Sequence, residues 1–144
     1  MYQFLAERPG TQDESALSGH MAHLEEKYQF VFPAILKDYY LRYNGVRIKL
    51  CTLSVDGYSC EVARIIPVMA ERMSFALILD RNRKDAYLSS RLFPLAMDRG
   101  GNLYYWDADT EGVVLVLADD VEHPFPVAKS VQEFFVLLDA ASDV

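Results

Sequence analysis

The chain has 144 residues, of which 51% are hydrophobic and 12% aromatic. That is enough for one well-buried core, since single domains cluster near roughly 100 to 150 residues. Its formal charge of -7 is unevenly spread: residues 1–97 carry 12 basic and 11 acidic side chains (net +1), whereas residues 98–144 carry 2 and 10 (net -8). This polarity argues against direct DNA or RNA binding, which needs cations to neutralise phosphates. It leaves two uses for the acidic third, solubility and attraction of a basic protein partner.

No run approaches the ~18 apolar residues of a membrane helix. The opening MYQFLAERPG lacks the basic and apolar blocks of a secretory signal. The expected location is therefore the cytoplasm, with no membrane partner.

In chain order, Ser18 is placed to cap a helix over about Gly19 to Tyr28, with Met21, Leu24 and Tyr28 on one stripe. Pro33 suits the first turn of a second helix, whose Leu36, Tyr39, Tyr40 and Tyr43 repeat at helical spacing before Asn44-Gly45 closes it. The stretch VRIKL then leads as a strand into CTLSVDGYSCEV, two strands around an Asp-Gly turn. In that hairpin Val55 faces Tyr58, Leu53 faces Cys60 and Cys51 faces Val62. Both cysteines fall on the dry face as diagonal neighbours about 7 to 8 Å apart, too far for a disulfide, and are expected to be reduced.

ARIIPVM reads as another strand. SFALILDRNRKDAYL is too continuously apolar at its start to separate helix from strand by period alone, and its charges form a solvated face. LFPLAM, NLYYWD and VVLVLAD read as strands, VEHPFP as a loop. Ser130 and Glu133 stand in capping-box spacing ahead of a closing helix with Val131, Phe134, Leu138 and Ala141 on its stripe. The expected class is α+β: one domain with a mainly antiparallel, twisted sheet flanked by N-terminal helices and a C-terminal helix.

The order of these motifs resembles the SUKH superfamily, the fold shared by a fungal cell-wall assembly regulator and many bacterial toxin-immunity proteins. In LEEKYQFVFPAILKDYYLRYNG, Glu25, Phe32-Pro33 and Asn44-Gly45 match the family's glutamate, Leu-Pro and Asn-Gly. LFPLAMDRGGNLYYWDAD resembles its strand, Asp, Gly100-Gly101 turn and acidic hairpin, and VAKSVQEFFVLLD its closing helix. Val46 and Leu36 depart from the family's second glycine and mid-helix aromatic. The resemblance spans about Leu17 to Leu138, which makes 1–144 one SUKH-like domain with residues 1–14 as an N-terminal extension.

Enzyme chemistry finds little support in the residues. DADTEG opens like a calcium loop with Asp107, Asp109 and Glu111, but the twelfth position is Ala118 where a bidentate Glu is required. His20 and His23 lack the spacing and intervening Glu of a zinc protease helix, and are expected to be solvated or near the surface. His123 has no nucleophile nearby in sequence, and Gly100-Gly101 lacks the helix N-terminus of a phosphate cradle. No metal, cofactor or catalytic set is therefore expected.

The resemblance implies a non-enzymatic immunity protein that binds a cognate toxin domain, such as a nuclease. Asp98, Asp107, Asp109, Glu111, Asp119 and Asp120 would oppose a basic cleft, and Tyr105 and Trp106 would serve as packed anchors. A regulatory or scaffold module is the alternative, and a small enzyme or carrier with an unrevealed cleft ranks third. Monomer and homodimer both stay open, because exposed strand edges permit pairing.

Overall fold

The structure, a computed structural model, describes residues 2–85 and 88–142. Asp13, not Ser18, begins the first helix, α1 (Glu14–Tyr28): its carboxylate accepts the Ala16 N–H at 3.0 Å, and Ser18 lies one turn inside. A cap is decided by the first residue able to take a free amide, and Asp13 precedes Ser18. Leu17, Met21, Leu24 and Tyr28 form the buried stripe. Helix α2 (Ala34–Tyr43) follows Pro33 and buries Leu36, Tyr39, Tyr40 and Tyr43, the four residues its spacing predicts.

The hairpin of β1 (Cys51–Val55) and β2 (Tyr58–Val62) has the expected register, Cys51 to Val62, Leu53 to Cys60 and Val55 to Tyr58. Asp56 (φ 49°) and Gly57 (φ 82°) both take the left-handed conformation of a tight two-residue turn. One residue on, β3 (Arg64–Ile65) leaves the hairpin and pairs with β4 (Leu92–Met97). ARIIPVM yields only this short strand, because Pro67 has no amide to extend the ladder. VRIKL is likewise no strand beyond a single bridge from Ile48 to Leu5.

The main sheet is antiparallel, in the order β3-β4-β5-β6-β7, with β5 (Leu103–Asp107), β6 (Val113–Leu117) and β7 (Asp120–Ala128). β7 corrects the loop expected at VEHPFP. Pro124 and Pro126 hid it, yet prolines are tolerated on an edge strand, and β7 pairs only with β6. Between β3 and β4 the chain forms α3 (Phe75–Asp85), which settles the helix-or-strand ambiguity; residues 86 and 87 of that stretch lie outside the described residues.

Helix α4 (Val131–Ser142) starts as its capping spacing predicts, with Ser130 Oγ accepting the Glu133 N–H at 3.0 Å. Its Val131, Phe134, Phe135 and Leu138 are buried, and Phe134 packs on Tyr104 of β5 at 5.5 Å between ring centroids. Residues expected to precede the core also enter it. Phe4 and Leu5 are buried, and Phe4 O accepts the Lys49 N–H at 2.7 Å.

Candidate functional site

The acidic residues expected on one face are divided by the sheet. β5 separates the turn before it from the turn after it by about 17 Å at ~3.4 Å per residue. Asp98 sits at one end with Asp119 and Asp120, where the Ala118 N–H donates to Asn102 Oδ1 at 2.8 Å and ties two turns together. Asp107, Asp109 and Glu111 sit at the other end. A single acidic patch of six carboxylates is therefore replaced by two groups of three, because nearness in sequence concealed a whole strand.

Local bonding fixes most of these carboxylates. Asp98 accepts the backbone N–H of Asn102 at 2.8 Å and its side-chain amide at 2.9 Å, while Gly101 turns the chain at φ +86°. Beside it Arg99 forks onto Glu61 at 2.8 and 2.9 Å and holds that carboxyl below the usual carboxylate range. At the opposite end Asp107 Oδ1 accepts the amides of Asp109 (2.8 Å) and Thr110 (3.2 Å), an Asx turn that shapes the β5–β6 loop. Asp109 pairs with Arg91 at 3.1 Å, Asp120 with His123 at 2.7 Å, and Glu111 is exposed at φ 67°.

The aromatic anchors also need correction. Tyr105 and Trp106 are 1% and 2% exposed, so neither offers a ring to a partner. Both faces of β5 are covered in this fold, which buries both members of the alternating pair. Trp106 lies among Phe30, Phe32, Phe75 and Phe93 at centroid distances of 5.3 to 6.0 Å, and Tyr105 Oη accepts a hydrogen bond from buried Asn82 of α3 at 2.9 Å.

The structure supplies instead an open groove of about 860 Å³ at the Asp107 end, between the α1–α2 connection, the β5–β6 turn and the first turn of α4. Phe32 and Trp106 form its floor, and Glu25, Arg91, Asp107 and Glu111 contribute polar walls. Val31 stands 73% exposed on its rim. Sequence reasoning missed it, although the signal was present: in QFVF, Phe30 and Phe32 point inward and the extended backbone turns Val31 outward. Arg91 was missed too. Its guanidinium donates to Gln29 O at 3.2 Å and to Asp109 at 3.1 Å, so it clamps two sides of the groove.

The motif residues shape this region and the turn beyond it. Glu25 Oε2 accepts the Phe32 N–H at 2.8 Å and lies 3.1 Å from Lys37 Nζ, fixing the turn that leads through Pro33 into α2. Asn44 Oδ1 accepts the Val68 N–H at 2.8 Å and its Nδ2 donates to Met69 O at 2.9 Å, fastening the end of α2 to the 68–69 segment while Gly45 turns away at φ +77°. A Cβ on Gly100 would come 3.4 Å from Asp98 Oδ1.

The titratable side chains weighed as catalytic are not brought together. His20, expected to be solvated, is half-buried and donates from Nε2 to Val68 O at 3.1 Å; His23 is exposed. Cys51 and Cys60 are free, buried thiols, both pushed up in pKa by burial. Among the described residues no helix is long and apolar enough to cross a membrane.

Two comparisons bear on the chain. No curated protein matches it. The model of the SMI1 / KNR4 family (SUKH-1) matches residues 17–136.

Proposed function

We propose that this chain, which belongs to the SMI1 / KNR4 family (SUKH-1), is a non-enzymatic immunity protein that neutralises a basic toxin domain in the cytoplasm. The observation that carries this reading is the groove beside the β5–β6 turn. An exposed apolar residue, Val31, shares the groove with Glu25, Asp107 and Glu111 and with one cation, Arg91, an apolar surface with a predominantly acidic polar lining of the kind protein interfaces use. The opposite end of the sheet carries carboxylates as well, but Asp98 is spent on its own turn and Glu61 on Arg99. Binding therefore centres on Val31 and Glu111, which line the groove, with buried Trp106 in its floor and Asp109 held beside it by Arg91. A nuclease cleft, built to hold phosphates, fits an acidic rim.

The test is co-expression with the toxic domain encoded beside this gene, scoring survival and co-elution. Rescue with a one-to-one complex, lost when Val31→Lys and Glu111→Lys are combined, supports the reading. No rescue and no complex, with a neighbour shown to be toxic alone, overturns it in favour of a regulatory module with several weaker partners.

A further inference from the structure

A second cavity, of about 400 Å³, lies where the N-terminal segment meets α2 and α4, lined by residues that include Tyr2, Tyr39, Tyr43, Asp38, Arg42 and Asp139. We propose that this pocket binds a cationic nitrogen on an aliphatic stem, an ammonium group, independently of the toxin-binding groove.

Three observations converge. The Tyr39 side chain is 2% exposed, and its hydroxyl finds no hydrogen-bond partner; among buried polar side-chain atoms of the described residues it is alone in this. An unpaired buried hydroxyl costs about 1–3 kcal/mol, a penalty a ligand N–H relieves by donating to it. Secondly, the rings of Tyr2, Tyr39 and Tyr43 lie 5.4 to 6.0 Å apart by centroid, which gathers three π-systems at one small cavity. Such rings attract cations.

The third observation is charge. Asp38 and Asp139 face one guanidinium, that of Arg42. Asp139 uses Oδ1 to accept the Phe4 N–H at 3.1 Å, which leaves Oδ2 for another donor. Asp38 makes no ion pair within the described residues although Arg42 is one turn away on the same helix. After burial, the carboxylates of Asp139 and Asp38 raise the Tyr2 phenol pKa, and Arg42 opposes them in part. Two carboxylates against one cation disfavour an anion. Ile35 and the ring faces accept a hydrocarbon stem. All three rings line the pocket, and Tyr2, half-buried, is the most exposed of them.

The shared chemistry has two sources, a free small amine or a lysine side chain of a protein partner. Amide NMR titrations of the full chain at pH 7 separate them, using n-butylamine, Nα-acetyl-lysine methylamide and neutral n-butanol. The expected result is saturable shifts at Tyr2, Tyr39 and Tyr43 with the cations and none with butanol. Whichever cation binds more tightly assigns the source. Asp38→Asn, on an exposed position, weakens the better cation by roughly tenfold, as loss of a charge-assisted contact does, without moving the unfolding midpoint. Tyr39→Phe weakens it as well while raising the stability of the free protein. Equal shifts with butanol, no saturable shifts, or unchanged affinity in Asp38→Asn would each overturn the proposal.

Discussion

Glu25 and Lys37 meet across the turn between α1 and α2, with 3.1 Å between Oε2 and Nζ, while the same carboxylate oxygen accepts the Phe32 amide at 2.8 Å. The two contacts differ in worth. The lysine side chain is 39% exposed, so the ion pair contributes about 0–1 kcal/mol, whereas a part-buried amide left without its acceptor costs about 1–3 kcal/mol. Glu25→Gln, which keeps an acceptor oxygen, should therefore lower the urea midpoint slightly, and Glu25→Ala clearly more. Equal losses in the two variants would show that the ion pair, and not the amide, fixes the turn.

Floor and rim of the groove should separate stability from binding. Trp106, surrounded by four phenylalanines, is expected to lose about 3–5 kcal/mol on truncation to alanine. Val31→Lys, on a residue 73% exposed, should shift stability by no more than about 0.5 kcal/mol and yet abolish toxin rescue. Thermal unfolding combined with the co-expression assay reads both. A Val31→Lys protein that unfolds early, or one that still rescues fully, would remove Val31 from the interface.

How far the sequence revealed these features depended on how local their causes are. The Cys51–Val62 register was legible because two-residue alternation and Asp56-Gly57 admit one pairing. The helical stripes of α1, α2 and α4 were legible for the same reason, since their period lies within each segment, whereas the start of α1 was displaced because Asp13 caps it ahead of Ser18. The grouping of Asp98 with Asp107 failed because strand length converts nine residues of sequence into opposite ends of a sheet. Tyr105 and Trp106 misled because alternation says which residues share a face, and only tertiary packing says that both faces of β5 are covered. The groove, assembled from segments near 31, 91, 107 and 131, had no local signature beyond the outward Val31.

The two thiols provide a check on the hairpin's dry face. Burial raises the pKa of both Cys51 and Cys60, and the thiolate is the reactive form. Native protein at pH 8 should react with a disulfide reagent far more slowly than denatured protein, with both thiols recovered on unfolding. Prompt labelling of either one without denaturant would mean that the hairpin opens away from α4.

Alkaline stability should report the buried tyrosines. Burial, then the hydrogen bond to Asp80, pushes Tyr28 up to about 12, and desolvation raises Tyr39, Tyr40 and Tyr104 as well. In the unfolded chain a phenol ionises near 10. A group whose folded pKa lies above its unfolded value stabilises the fold fully below the unfolded pKa and loses that contribution as pH rises through the folded one. Stability should therefore be flat with respect to these groups up to about pH 10 and decline between about 10 and 12 as the unfolded state releases protons that the folded state retains. The measurement is phenolate absorbance against far-ultraviolet circular dichroism over that range. Coincident, cooperative steps in the two signals are expected for this set of tyrosines, with the dichroic transition moved upward in Tyr40→Phe at matched neutral-pH stability. Smooth ionisation of all nine tyrosines near 10 with the dichroism intact would contradict the burial of those rings.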